Sequence, residues 1–182
     1  PHECSSAASD VYKRQEEDWV GHVKDRPKDK PFFFWFASTD AHRNWSINEK
    51  APKYDPKDVI IPPFMVDTSI TRKDLTGHYH EVSRFDHYIG LVTAELKKQA
   101  VLENTMIVVA ADNGRPFPRC KSRMYDSGIK TPWVVHFPEV IKSPSVTQSL
   151  ICVIDLSATC LELAGLKSPE CVQGRRFLPI LK

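Results

Sequence analysis

The chain has 182 residues, enough for one ordinary hydrophobic core and one domain. Hydrophobic residues make up 41% and charged residues 26%, the balance of a globular protein. A net charge of +2 is too small to argue for nucleic acid or a membrane surface as a partner, and no apolar run is long enough to cross a bilayer.

Taken in order, the chain opens on an oddity. Residues 5–15, SSAASDVYKRQ, match the in-frame translation of a transposase-type sequencing adapter. Residues 1–15 are therefore set apart as an adapter artefact or a disordered tail, and the genuine chain is expected to begin near Glu16, in mid-protein. Residues 16–23 read as the end of an amphipathic helix with Trp19, Val20 and Val23 on one side. After a charged connector comes Pro31-Phe-Phe-Phe-Trp-Phe-Ala37, an apolar run with the length and aromatic content of a buried strand. It ends in Ser38-Thr-Asp-Ala-His-Arg43. Residues 44–67, with four prolines, read as a long irregular excursion forming the rim of a pocket. Asp67 or Thr68 can cap the next helix. There Leu75, Tyr79, Val82, Phe85, Ile89, Val92 and Leu96 recur at spacings of three and four. The opposite face, with Glu81 and Arg84, is expected to meet solvent, as are His78, His80 and His87.

The most informative stretch follows. Met106 to Ala111 is apolar and rich in β-branched residues, as in a strand covered on both faces of a parallel sheet. It stops at Asp112-Asn113-Gly114, and the carboxyl edge of such sheets is where α/β folds bind ligands. Asp and Asn offer hard oxygens suited to Ca2+ or Mg2+ rather than zinc, although the same tripeptide also suits a plain turn. Arg115, Arg119, Lys121 and Arg123 come next, with no acid before Asp126. A hard cation beside basic side chains describes a site for sulfate or phosphate esters. If the strands at 31–37 and 106–111 are parallel, His42 faces the same crevice, where an imidazole can contact an anion or give a proton to a leaving group. Residues 130–137 read as a third strand, and 148–164 as a helix, broken or restarted at Asp155, that stops at Gly165. This order argues for an α/β architecture with a mostly parallel sheet flanked by helices. Five cysteines without metal-ligand spacing define no disulfide framework, and Cys152 and Cys160 read as small core residues.

With these residues set out, the chain resembles the sulfatases of the alkaline-phosphatase-like superfamily, and among them the heparan N-sulfatase (sulfamidase) branch. The likeness rests on Pro31-Phe-Phe with Asp40-Ala-His-Arg43, and on Tyr54-Asp-Pro-Lys-Asp58 with Val59-Ile-Ile-Pro62. It extends to Arg84-Phe-Asp86 with Gly90-Leu, and to Asp112-Asn-Gly-Arg-Pro-Phe-Pro118 leading to Tyr125-Asp-Ser-Gly-Ile-Lys-Thr-Pro132. The resemblance implies hydrolysis of a sulfuric ester or sulfamate, using Ca2+ and a formylglycine nucleophile made from a cysteine in a C-x-P/S-x-R motif. It implies a sulfated small molecule or sulfated glycan as partner, and an extracytoplasmic home. Carried over residue by residue, it makes Asp112 and Asn113 half of the metal shell. Lys121 contacts sulfate and His42 meets the sulfate or the leaving group, with Arg43, Arg115 and Arg119 as weaker substrate contacts. None of the five cysteines stands in the formylglycine motif, and the Asp pair that opens the family's first strand is absent. Residues 16–182 are accordingly expected to be the C-terminal portion of an incomplete catalytic domain, inactive by itself. Two alternatives stay open at this point: a phosphate-ester or phosphodiester hydrolase of the same superfamily, and a non-catalytic binding relative.

Overall fold

The computed structural model describes residues 16–181, so the adapter-like stretch at 5–15 lies outside the described residues. A 3-10 turn over Glu16–Asp18 leads into helix α1, Trp19–Asp25. The long helix α2 is Ser69–Lys98, followed by strand β1, Ile107–Ala110, and the short helix α3, Asp126–Ile129. Strand β2 is Trp133–His136, helix α4 is Asp155–Leu163, and a 3-10 turn over Leu178–Ile180 closes the described chain. The residues fall into two compact units. One holds the described residues up to Ala100 together with Asn113–Lys130; the other holds Val101–Asp112 and the described residues from Thr131 onward.

Local chemistry sets the helix ends. Thr68 is extended, and its hydroxyl accepts the Thr71 amide at 3.1 Å, so it caps α2 where the sequence offered Asp67 or Thr68. Lys97 and Lys98 lie in the last turn, where the carbonyl end of a helix favours cations. Helix α4 stops at Gly165, whose φ of +69° few residues but glycine adopt without strain. The Leu166 amide reaches the Leu161 carbonyl at 2.9 Å and the Gly165 amide reaches Glu162 at 3.0 Å, the paired bonds of a Schellman ending. Helix formation does not begin at 148. It starts at Asp155, whose carboxylate accepts the amides of Cys152 at 2.8 Å and Arg175 at 2.7 Å. Cys152 is therefore on an exposed capping turn rather than in a core, and Cys160 is partly buried.

The two strands differ from the expected pattern. β1 and β2 pair antiparallel, from Ile107 opposite His136 to Ala110 opposite Trp133. A parallel pair needs a crossover that returns along the sheet, usually through a helix of about a dozen residues. Between β1 and β2 the only helix is the four-residue α3. The pair is also half-covered rather than buried on both faces, since Val134 is largely exposed.

Residues 31–37 are extended but join no ladder among the described residues. Their side chains alternate. Phe32, Phe34 and Phe36 turn inward, with Phe34 and Phe36 stacked at 5.2 Å and Phe36 stacked on Trp19 at 5.0 Å. Phe33 and Trp35 turn outward and are 66% and 67% exposed. The core of this unit gathers Val59, Leu75, Phe117 and Cys120, with Trp45, Ile61, Phe64, Met65 and Tyr79 packed around them. The excursion at 44–67 thus folds onto the core as well as forming surface.

Candidate functional site

The loop that carries His42 and Arg43 is held by the side of α2 that the apolar spacing assigns to water. Glu81, Arg84 and His80 are fully buried, whereas Val82, from the expected apolar stripe, is 47% exposed. The reason is the nature of the surface that α2 packs against. It is a loop rich in backbone polar groups, and a buried amide or carbonyl needs a partner. Arg84, Glu81 and His80 share this work. Arg84 Nε donates to Asp40 Oδ2 at 2.7 Å and its Nη2 to Asp40 Oδ1, while Nη1 donates to the Ser46 carbonyl. Nη2 also reaches Glu81 Oε1 at 3.1 Å, and that same oxygen accepts the Ser46 amide at 2.7 Å. The Asn48 amide donates to His80 Nε2 at 3.1 Å, which places the ring proton on Nδ1, 3.0 Å from the Pro52 carbonyl. The sequence reading of His80, Glu81 and Arg84 as solvated is therefore corrected.

His42 itself is exposed at the head of this loop, with Nδ1 2.6 Å from the Arg43 carbonyl. Arg43 bridges to the second candidate loop. Its Nε donates to the Pro116 carbonyl at 3.1 Å and its Nη2 pairs with Asp74 at 2.5 Å. The guanidinium also lies over the rings of Trp45 and Phe117, near 5 Å from each centroid (5.1 and 5.0 Å). Asp74 holds Trp45 Nε1 with its other oxygen, at 2.6 Å.

The basic loop is fixed chiefly by its own backbone. The Arg115 carbonyl accepts both the Phe117 amide at 2.8 Å and the Lys121 amide at 3.1 Å. The Gly114 amide closes on the Gly128 carbonyl at 3.0 Å, and neither glycine has room for a Cβ: one at Gly114 would strike Ser127 and Gly128, one at Gly128 the carbonyls of Cys120 and Arg123. Arg119 stands over Tyr125 at 4.2 Å and over Phe64 at 5.6 Å. Lys121 is exposed and Arg115 is half-buried. The structure thus brings Arg43 to the loop of Arg115, Arg119 and Lys121, with His42 adjacent to Arg43 in the chain.

Asp112 and Asn113 form the peptide junction between the two units. Asp112 is exposed. Asn113 donates its side-chain amide to the Gly114 carbonyl at 3.0 Å, and its own Oδ1 accepts no hydrogen bond among the described residues. The hard oxygens expected of a Ca2+ ligand set are therefore available, but as part of a shell: Ca2+ takes about six to eight oxygens. Among the described residues no three His, Cys, Asp or Glu side chains gather as a metal site. Clefts of about 530 and 700 Å³ are lined by other residues, and in the basic loop Arg119 and Lys121 are exposed to solvent.

One titratable group touches both loops. His78, on α2, packs against Trp45 at 5.7 Å and Phe117 at 5.5 Å. Burial pushes its imidazole down to about 4, aided by the charges of Arg115 and Arg43 and opposed by Asp74. Its Nδ1 is buried without a partner among the described residues, as fits a neutral ring. Burial likewise raises the Glu81 carboxyl above its usual range, against the pull of the Ser46 amide. In Arg84 burial works against the charge, but the Asp40 and Glu81 carboxylates together outweigh it and the group is raised.

Sequence reasoning missed Asp40, Asp74, His80, Glu81 and Arg84 because periodicity counts apolar residues. The signal was there in another form: Asp74, Gly77, Glu81, Arg84 and Tyr88 recur at alternating spacings of three and four, a seam that is polar yet turned inward.

Comparison with known proteins agrees with this architecture. The family profile described as Sulfatase matches residues 10–166. An ulvan-active sulfatase of Formosa agariphila is 29% identical over 200 residues, an alignment covering 90% of this chain and 34% of that protein. Human N-sulphoglucosamine sulphohydrolase is 31% identical over 186 residues, covering 85% of this chain and 37% of that protein. A solved structure from work on glycosaminoglycan metabolism by Bacteroides thetaiotaomicron superposes with a TM-score of 0.76 at 23% identity, over 92% of this chain and 38% of that one. The chain belongs to the sulfatase family, with its α/β, alkaline-phosphatase-like fold. It spans about a third of the length of the curated relatives it matches (34% and 37%).

Proposed function

We propose that this chain supplies part of a hydrolytic site for sulfate esters or sulfamates. The observation that carries the reading is the 3.1 Å bond from Arg43 Nε to the Pro116 carbonyl, which ties the His42 loop to the loop of Arg115, Arg119 and Lys121. Several cations on one open surface favour a multiply charged, tetrahedral oxyanion. Lys121, an exposed point charge, binds a sulfate oxygen, and Arg115 and Arg119 flank it. Arg43 commits Nε and Nη2 to Pro116 and Asp74 and offers Nη1 to the anion. His42, exposed beside it, gives a proton to the leaving oxygen or nitrogen. Asp112 and Asn113 would hold part of a Ca2+ shell, and the ion would neutralise charge on the sulfate.

The nucleophile in this reading is a formylglycine outside these 182 residues, none of whose cysteines has the C-x-P/S-x-R context. Relatives named for ulvan and for N-sulphoglucosamine favour a sulfated saccharide as substrate. The test is a titration of isotope-labelled chain with glucosamine N-sulfate, with and without Ca2+. The expected result is a shift of the His42 ring and of the amides of residues 113–121, enhanced by Ca2+, with no turnover. Shifts confined to other surfaces, or dependence on two zinc ions instead, would overturn the reading. Hydrolysis of the sulfamate by this chain would overturn the placement of the nucleophile.

A further inference from the structure

The chain from Asp40 to Ser46, with His42 and Arg43 inside it, contains no helix or strand, so something other than a regular ladder must fix where the imidazole stands. We infer that Arg84 is the positioning residue for His42: its guanidinium clamps both ends of this span at once, Asp40 through Nε and Nη2 and Ser46 through Nη1. The inference rests on the proposed anion site only for its functional meaning; the clamp is independent of it. The Arg84 and Asp40 side chains are 1% and 2% exposed, so water does not compete for these bonds. The other contacts from α2 extend the same grip. Glu81 takes the Ser46 amide, His80 takes the Asn48 amide, and Asp74 takes Trp45 and Arg43. A buried ion pair adds little net stability compared with a well-packed apolar pair. What the planar fork adds is geometry, since two parallel bonds to one carboxylate and a third to a carbonyl define an orientation that a single ammonium cannot.

The experiment compares the unaltered chain with Arg84→Lys, which keeps the charge and loses the fork, and Asp40→Asn, which keeps the shape and loses the charge. Readouts are the melting temperature, the His42 ring resonances, hydrogen exchange of the Ser46 and Asn48 amides, and a titration with inorganic sulfate. In variants that stay folded, the His42 ring signal moves and the two amides exchange faster. The sulfate response of His42 weakens by about tenfold, as expected when a binding group is misplaced by a fraction of its reach. Arg176→Met, which removes an exposed ion pair with Glu162 in the other unit, leaves all four readouts unchanged. The inference is overturned if either variant folds and keeps both the His42 signal and the amide protection of the unaltered chain. If sulfate never shifts His42 but Arg84→Lys still displaces the loop, the anion-site reading falls and the clamp stands.

Discussion

Residues 38–48 and residues 113–130 both present cations to solvent, yet they are held by opposite means. The first loop is fixed from outside, by long side chains of α2 that meet its backbone at Ser46 and Asn48 and its carboxylate at Asp40. The second is fixed from within, by amide–carbonyl bonds such as Gly114 to Gly128 and by glycines where no Cβ fits. A loop held by distant side chains depends on single residues elsewhere in the chain. A loop held by its own backbone depends on residues within it. The contrast can be broken or sharpened by substitution and by pH.

The largest effect is expected from Arg84→Met, which strands the Asp40 carboxylate as a buried acid. Breaking a buried pair from one side costs about 3–5 kcal/mol, measurable as a fall in the urea midpoint. Acid comes next, acting through His78, which touches both loops. Because its folded form resists protonation down to about pH 4, the unfolded chain binds more protons between pH 6.5 and 4. The stabilisation is complete above pH 6.5 and drains as pH falls toward 4; His78→Phe should flatten that slope in thermal melts across the interval. Gly128→Ala forces a methyl against the carbonyls of Cys120 and Arg123, and overpacking of this kind costs about 1–3 kcal/mol. Its damage should appear as faster amide exchange within residues 113–130 and leave Ser46 and Asn48 protected. The mildest change is Thr68→Ala, which removes the α2 cap for about 1 kcal/mol and weakens the helix without favouring either loop.

The same contrast explains what could be read from the sequence. The second loop announced itself, because Asp112-Asn-Gly and the nearby prolines are local signals of a turn at a strand end, and β1 ends at Ala110, two residues earlier. Likewise α2 begins one residue after Thr68 and α4 stops before Gly165, since caps are written next to the helices they end. The first loop did not announce its supports. Asp40 and Arg84 are 44 residues apart, and each looks like a surface charge until the other is placed beside it. Apolar periodicity failed on α2 for a physical reason: the surface it meets is made of amides and carbonyls, so Glu81, Arg84 and His80 are the side chains that can be buried there. The run at 31–37 misled in the opposite direction, being apolar throughout yet covered on one side only.

That one-sided ribbon has a practical consequence. Along residues 31–37 the chain offers water two large rings, Phe33 and Trp35, beside a row of peptide groups with no strand alongside them among the described residues. Such a margin is a template for self-adhesion. Concentrated preparations should thicken into cross-strand assemblies seeded at this margin, and a charged residue in place of Trp35 should keep them dispersed.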